Sequence, residues 1–320
     1  MPDSSFWLFL FIIVLAIGFG LVNGFNDAAN AIAAAVGSRA LSPRKAIIIA
    51  VISNLIGSAT GLAVAKTIGK GILIPEAISY SYLPVIAALS SIIIWGVIAS
   101  YLGLPISLTH GFVAGLAASG IALAGSEVVV WSVLQRVMAA VVVAPILGFV
   151  GGFILMGIIY WLFRRSAPVK IRVIFSRMQW LTTAFLAYSH GKNDGQMPIG
   201  IITMAMVVYT GEMSLWDNIP FWIIITSALS ISTGIAIGGW RVVRTMGMKV
   251  TNLQPVHGFA AQASAAAVIE AASIVGIPVS TTHCASTAIM GVGSTRRFSA
   301  VRWGVAGNIV TAWILTFPIC

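Results

Sequence analysis

The sequence predicts an all-α integral membrane protein made of two inverted-topology repeats, with broken helices and re-entrant helical hairpins. Three observations carry this expectation: the composition, the length and recurrence of the apolar segments, and two polar motifs that each return once in the second half. Of the 320 residues, 59% are hydrophobic and 8% charged, and the mean hydropathy is +1.01. Globular proteins carry about 25% charged residues, so the solvent here is lipid. Apolar stretches of roughly 17 to 25 residues follow one another along the chain, the length at which an α-helix crosses a hydrocarbon core of about 30 Å.

Charge sets the orientation. The net charge of +10 could suit nucleic acid, but its distribution excludes that class: 14 of the 18 basic residues fall in four short loops. These hold Arg39, Arg44 and Lys45; Arg164, Arg165, Lys170, Arg172 and Arg177; Arg241, Arg244 and Lys249; and Arg296, Arg297 and Arg302. The positive-inside rule makes these loops cytoplasmic. Asp3, Glu76, Glu127, Glu212 and Asp217 then face outside, while Asp27, Asp194 and Glu270 remain within apolar stretches. Cys284 and Cys320 form no disulfide framework or paired metal-ligand spacing and read as packing residues.

In chain order, residues 6–36 cross inward, 44–66 cross outward, 82–124 enter and return on the outer side, and 131–163 cross inward. The first apolar run lacks a preceding Lys or Arg and a small-residue cleavage site, so it reads as a span rather than a removable leader. After the basic stretch the pattern restarts. Residues 178–207 cross outward, 219–240 inward, 255–293 enter and return on the inner side, and 303–320 cross outward. This gives an N-terminal membrane repeat over 1–163, a basic cytoplasmic linker over 164–177, and an inverted repeat over 178–320. Both termini then lie outside a multi-pass protein of the cell (plasma or inner) membrane. An odd number of crossings per half inverts the second against the first, as in many secondary transporters.

Matching residues test the repeat. GFNDAAN at 24–30 returns as GKNDGQM at 191–197, and GLPISLTH at 103–110 returns as GIPVSTTH at 276–283. The offsets are 167 and 173 residues. An ionised carboxylate in lipid costs several kcal/mol, about 2.5–3.5 or more, so Asp27 and Asp194 should face a cavity or partner. Each follows a Gly and an Asn, residues that tolerate a left-handed backbone where a helix unwinds. Carboxylates, carboxamides and freed carbonyls together suit a small hard cation. The second motif sets a Pro before Ser or Thr, as at a helix N-terminus, which attracts anions. Ser107, Thr109, Ser280, Thr281 and Thr282 would add hydroxyl donors for a multivalent oxyanion.

VNGFNDAANAIA, YSHGKNDGQMPIG and GIPVSTTH resemble the paired signatures of the inorganic phosphate transporter (PiT) family, and WGVAGNIVTAWILTFP is similar to its last span. The resemblance implies a symporter of inorganic phosphate with Na⁺ or H⁺, in some members carrying a metal-phosphate complex. It also implies a homodimer in the lipid bilayer, with no further cofactor. Carried over, Asn26, Asp27, Asn193 and Asp194 match the cation-binding positions. Asn30 and Gln196 join Ser107, Thr109, Ser280, Thr281 and Thr282 around phosphate. Lys192 stands where the family more often has a small residue, and Met197 where a polar one is frequent.

Other functions fit less well. An intramembrane hydrolase built on Ser107 or Ser280 with a His and an Asp would leave the duplication idle, so no enzyme is expected. An anion channel explains the helix termini but not the carboxylates, which repel the permeant ion unless cations accompany it. A carrier of a related oxyanion such as sulfate remains compatible with the motifs. Simple helix capping needs only Ser107 or Ser280. His110 and His283 read as interhelical contacts ahead of proton carriers, and His190 and His257 carry weaker signals still. Glu270 aligns with Val97, so it lies outside the repeated site and suits an interhelical contact or an ion equally. Trp7, Tyr101 and Trp131 read as interfacial anchors.

Overall fold

Lipid offers no hydrogen bonds to the backbone, so a chain this apolar must satisfy its own amides, and helices do so within one segment. A computed structural model describes residues 4–74 and 82–320, and among these there is no strand, only one β-bridge between Leu73 and Val129. Asp3 and Glu76, expected outside, lie beyond the described residues.

In the first half, α1 spans Ser4–Gly37, α2 Pro43–Ser58, α3 Ala63–Gly71, α4 Leu83–Leu102, α5 Leu108–Ala124 and α6 Trp131–Leu162. In the second half, α7 spans Pro168–Asp194, α8 Gln196–Thr210, α9 Phe221–Ile237, α10 Trp240–Arg244, α11 Pro255–Ile274, α12 Thr281–Ser294 and α13 Trp303–Ile319. α1, α4 and α6 are long and apolar enough to cross a membrane singly. α2 with α3, and α9 with α10 and the π turn after it, form two bent spans of 71° and 62°. Both halves therefore run in the same order: a motif helix, an elbow, a hairpin and a closing helix.

Local chemistry places the boundaries. Prolines open α2, α7 and α11, where the missing N–H costs nothing. Ser107 and Ser280 cap α5 and α12 by accepting from the backbone N–H of His110 (3.2 Å) and His283 (3.1 Å). The hairpin turns pivot on Gly103 (φ 75°) and Gly276 (φ 73°), a left-handed backbone that other residues resist.

Three expectations change. The first Asn-Asp motif does not interrupt its helix: α1 is continuous through residues 23–30, and the second motif is broken only at Gly195. The breaks fall instead between Ser58 and Ala63 and between Ile237 and Trp240. Gly24 and Gly191 serve close approach. A Cβ on Gly24 would overlap the Ile231 carbonyl oxygen, and one on Gly191 the Asn54 carbonyl oxygen. Membrane helices commonly use small residues this way. Third, the basic stretch 164–177 is a linker only as far as Ala167, because Pro168 already begins α7.

The halves interlock. α1 packs along α9 and α2 along α7, while α12 lies against α6. One apolar core surrounds the second hairpin and the C-terminal part of α1, and another surrounds the first hairpin, the N-terminal part of α1 and α8. The Asn-Asp motifs lie where these cores meet. Outward-facing Val142, Ile146, Phe153 and Ile154 of α6 are about half exposed, as a lipid-facing stripe should be. Trp7, Tyr101 and Trp131 are exposed, consistent with anchoring at an interface.

Candidate cation and anion site

Asn26 and Asn193 clasp the hairpins. Asn26 Nδ2 donates to Ser100 Oγ (2.7 Å) and to the Leu104 carbonyl (3.4 Å), and its Oδ1 accepts from Ile106 N–H (3.4 Å). Asn193 Nδ2 donates to Ser273 Oγ (2.9 Å) and to the Ile277 carbonyl (3.3 Å), and its Oδ1 accepts from Val279 N–H (3.2 Å). Every partner of one clasp is the repeat mate of a partner of the other, at the 173-residue offset. The carboxamides expected at a cation are thus spent on pinning each hairpin turn to its motif helix. That places the adjacent aspartates.

Asp27 and Asp194 are only 2% and 1% exposed. Asp27 Oδ1 accepts from Thr282 Oγ1 (2.7 Å) and Asp194 Oδ2 from Thr281 Oγ1 (3.0 Å). Asn30 Nδ2 donates to both hydroxyls, at 3.2 Å for Thr281 and 3.0 Å for Thr282. The start of α12 therefore faces both aspartates at once. A helix start carries free N–H groups and the positive dipole end.

His190 stands beside them, one turn before Asp194, with Nε2 3.4 Å from Asp194 Oδ2 and 3.8 Å from Asp27 Oδ2. Ligand atoms of Asp27, His190 and Asp194 all lie within 4.8 Å of one another. Among the described residues, Asp194 Oδ1, Asn30 Oδ1 and His190 Nε2 are buried without a hydrogen-bond partner. Buried oxygens beside two acids are costly unless something positive meets them. A small cation fits this donor set, and α12 supplies anion donors next to it.

The remaining expected residues take other places. Thr109 Oγ1 donates to Met197 Sδ (3.3 Å) in the first half's version of the site. Gln196 Oε1 accepts from Val64 and Ala65 N–H (2.9 and 3.1 Å), capping α3, and its Nε2 donates to the Lys192 carbonyl (2.6 Å). Lys192 is ion-paired with Glu270, both largely buried. His110 and His283 meet edge to face with centroids 4.9 Å apart, and His283 stacks on Trp313 at 3.9 Å. In the sequence His190 carries only a weak signal, and its neighbours Asn54 and Ser232 carry none. The available signal was spacing: His190 precedes Asp194 by four residues, as Asn23 precedes Asp27.

Two cavities approach the hairpin turns. One of about 320 Å³ is lined by Lys66, Arg136 and the second turn, Val275 to Pro278. The other, about 520 Å³, is lined by Gly103 of the first turn with Arg241, Arg244 and Lys249. Each lies where a hairpin meets the elbow of the other half, and among the described residues their linings hold bases and no acid, with Lys66 lying 3.7 Å from Asp217.

Comparison with known proteins follows the same lines. Residues 23–320 match the model of the phosphate transporter family. The chain is 39% identical over 317 residues to the "Probable low-affinity inorganic phosphate transporter" of Bacillus subtilis (strain 168), covering 99% of this chain and 95% of that protein. It is 40% identical over 315 residues to the protein of the same name in Rhizobium meliloti (strain 1021), covering 98% and 93%. Among solved structures, "The sodium-dependent phosphate transporter" superposes with a TM-score of 0.90 at 28% identity, covering 98% of this chain and 96% of that one. The matched family is one of transporters and not of enzymes. With the family model spanning both motif pairs, the chain belongs to the phosphate transporter family.

Proposed function

We propose that the chain is a secondary active symporter that moves inorganic phosphate into the cell with Na⁺ by alternating access between two inverted repeats. The observation that carries this reading is the meeting of two buried aspartates, one from each repeated motif, with the hydroxyl-bearing start of a single helix. Na⁺ is favoured over H⁺ because the donors are hard oxygens. The sodium-dependent neighbour supports the same choice.

The geometry suggests how binding of one ion prepares the other. Thr281 and Thr282 each have a single hydroxyl proton, and both are given to the aspartates here. A cation between Asp27 and Asp194 takes over those oxygens. The hydroxyls then turn toward an anion, alongside the α12 N–H groups and Asn30. Ser107, Thr109 and Ser280 stand at the same helix starts, and Gln196 holds the elbow that would close over them. Asn26 and Asn193 serve the cation by positioning the aspartates. Rocking of the halves would open the basic cavities in turn, and the family resemblance extends the proposal to a homodimer.

Uptake of labelled phosphate into proteoliposomes tests this. An imposed Na⁺ gradient should drive accumulation, and a pH gradient alone should not. Asp27→Asn and Asp194→Asn should each reduce Na⁺-driven uptake at least about 100-fold, the scale of losing a charged ligand in a buried site, while folded yield is kept. Wild-type transport in both variants would sink the mechanism. Sulfate entering in place of phosphate would keep the fold reading and replace the substrate.

A further inference from the structure

The join between the two halves holds a third cavity, of about 640 Å³, larger than the two at the hairpin turns. The transport cycle gives it no task. Its lining comes from the end of α6, the linker, the first turn of α7, the start of α11 and Ser38 just past α1. Arg164 and Arg172 line it and, among the described residues, no acid does. Arg165, Lys170 and Arg177 of the same basic stretch stay outside it. Two bases are thus gathered at the cavity while their neighbours point elsewhere.

The donors gathered there are unspent. Among the described residues, the Arg172 guanidinium and the Ser166 hydroxyl have no hydrogen-bond partner, and Arg164 only lies over the Trp161 ring, 5.5 Å from its centroid. α7 opens with Ala167 at its N-cap and no side chain accepting from its first turn. α11, whose start also lines the cavity, is by contrast closed by a capping box of Gln254 and His257. The uncapped start leaves free N–H groups and a positive dipole end facing the arginines. Guanidinium, hydroxyl and free amides together suit a phosphate oxyanion.

The rest of the lining decides what carries that phosphate. Phe163, Val169 and Leu253 form an apolar wall, with Val169 74% exposed. Beside the wall, Ile154, Ile158 and Leu162 make an exposed ridge at four-residue steps along α6, topped by the exposed aromatics Tyr160 and Trp161. Such aromatics mark the headgroup level of a bilayer. A free phosphate ion would leave the apolar half uncovered, whereas acyl chains would cover it. Basic pockets between helices, on the face that the positive-inside rule makes cytoplasmic, accept anionic headgroups.

We propose that this cavity binds the headgroup phosphate of an anionic phospholipid through Arg164, Arg172, Ser166 and the uncapped start of α7, with the acyl chains lying along Ile154, Ile158 and Leu162. Because the lining draws on both halves and the linker, one lipid ties the halves at their join. The inference goes beyond the transport cycle and does not rest on the cation reading.

The test is native mass spectrometry of the full-length protein in detergent, titrated with phosphatidylglycerol or with phosphatidylcholine of the same acyl chains. One phosphatidylglycerol should bind with a preference of at least about 10-fold over phosphatidylcholine. Arg164→Gln combined with Arg172→Gln should weaken it about 30-fold, the effect of two basic contacts at a membrane surface. Arg44→Gln combined with Arg177→Gln removes two exposed bases outside the cavity and should stay within about twofold, as for screened surface charge. If the first double variant does not fold, Arg172→Gln alone should weaken binding about fivefold. Equal losses in the two double variants, or no loss in either, would reduce the binding to diffuse surface charge and overturn the site. Displacement of phosphatidylglycerol by an equal concentration of inorganic phosphate or glycerol 3-phosphate would overturn the lipid as its occupant.

Discussion

The first hairpin presents Leu108 and Thr109 at the start of α5, and the second presents Thr281 and Thr282 at the start of α12. In the first, Thr109 meets the sulfur of Met197. In the second, both threonines bond carboxylates. The asparagine clasps behind the two hairpins are nevertheless alike to within a few tenths of an ångström. Between the two motif pairs, the asparagines that position the hairpins are thus kept, and the residues that meet the aspartates are changed. Mechanics shared by two halves need equal parts, whereas a single polyatomic ligand needs one set of donors.

The difference can be broken at its strongest point first. Removing the hydroxyl in Thr282→Val should lower phosphate uptake about 10- to 100-fold, since a hydrogen bond to a charged group contributes about 1.5–3 kcal/mol. Initial rates at saturating Na⁺ read this out. Asn26→Ala and Asn193→Ala should come next and should match each other. Each loses about 1–3 kcal/mol by stranding buried partners, measurable as thermal destabilisation in detergent, and unequal losses would mean the clasps are not equivalent. Among the described residues, Lys192→Met leaves Glu270 with a long contact to Ser189 (3.4 Å). It should cost about 1–2 kcal/mol, below the range for a fully buried pair, and the double variant with Glu270→Gln should regain part of it. Thr109→Val should do least, about threefold in uptake, because sulfur is a weak acceptor. A loss as large as that of Thr282→Val would show that phosphate engages both hairpins equally.

Much of this was legible in the sequence because lipid enforces simple rules. The all-helical fold and the two helix–turn–helix hairpins followed from apolar length and paired motifs, and the boundaries of α6 differ from expectation by a single residue. The elbows were not legible: each reads as one apolar span, and nothing local distinguishes Gly61 or Gly238 as a bend from a packing glycine. Gly24 and Gly191 were misread for the converse reason. A glycine's freedom to turn and its lack of a Cβ look the same in sequence, and only the partner backbone decides between them. Asp27 and Asp194 were readable as costly charges in lipid. The pairing of Lys192 with Glu270, 78 residues away, had no local signal, and a single histidine such as His190 carries a weaker one than an acid in lipid.

The crossing of α1 with α9 bears on how the protein is made. Gly24 rests on the backbone at Ile231, which lies 207 positions later in the chain. At a synthesis rate of about 5–20 residues per second, α1 waits roughly 10–40 seconds for that partner. Through this interval Asp27 has neither α9 nor the threonines of α12 around it, and α1 carries a carboxylate and a bare glycine face in the bilayer or at the insertion machinery. Assembly of the first half is therefore completed only by the second, so a truncated chain should be cleared by quality control, and a chaperone of membrane insertion would find its longest-lived client surface on the first helix to emerge.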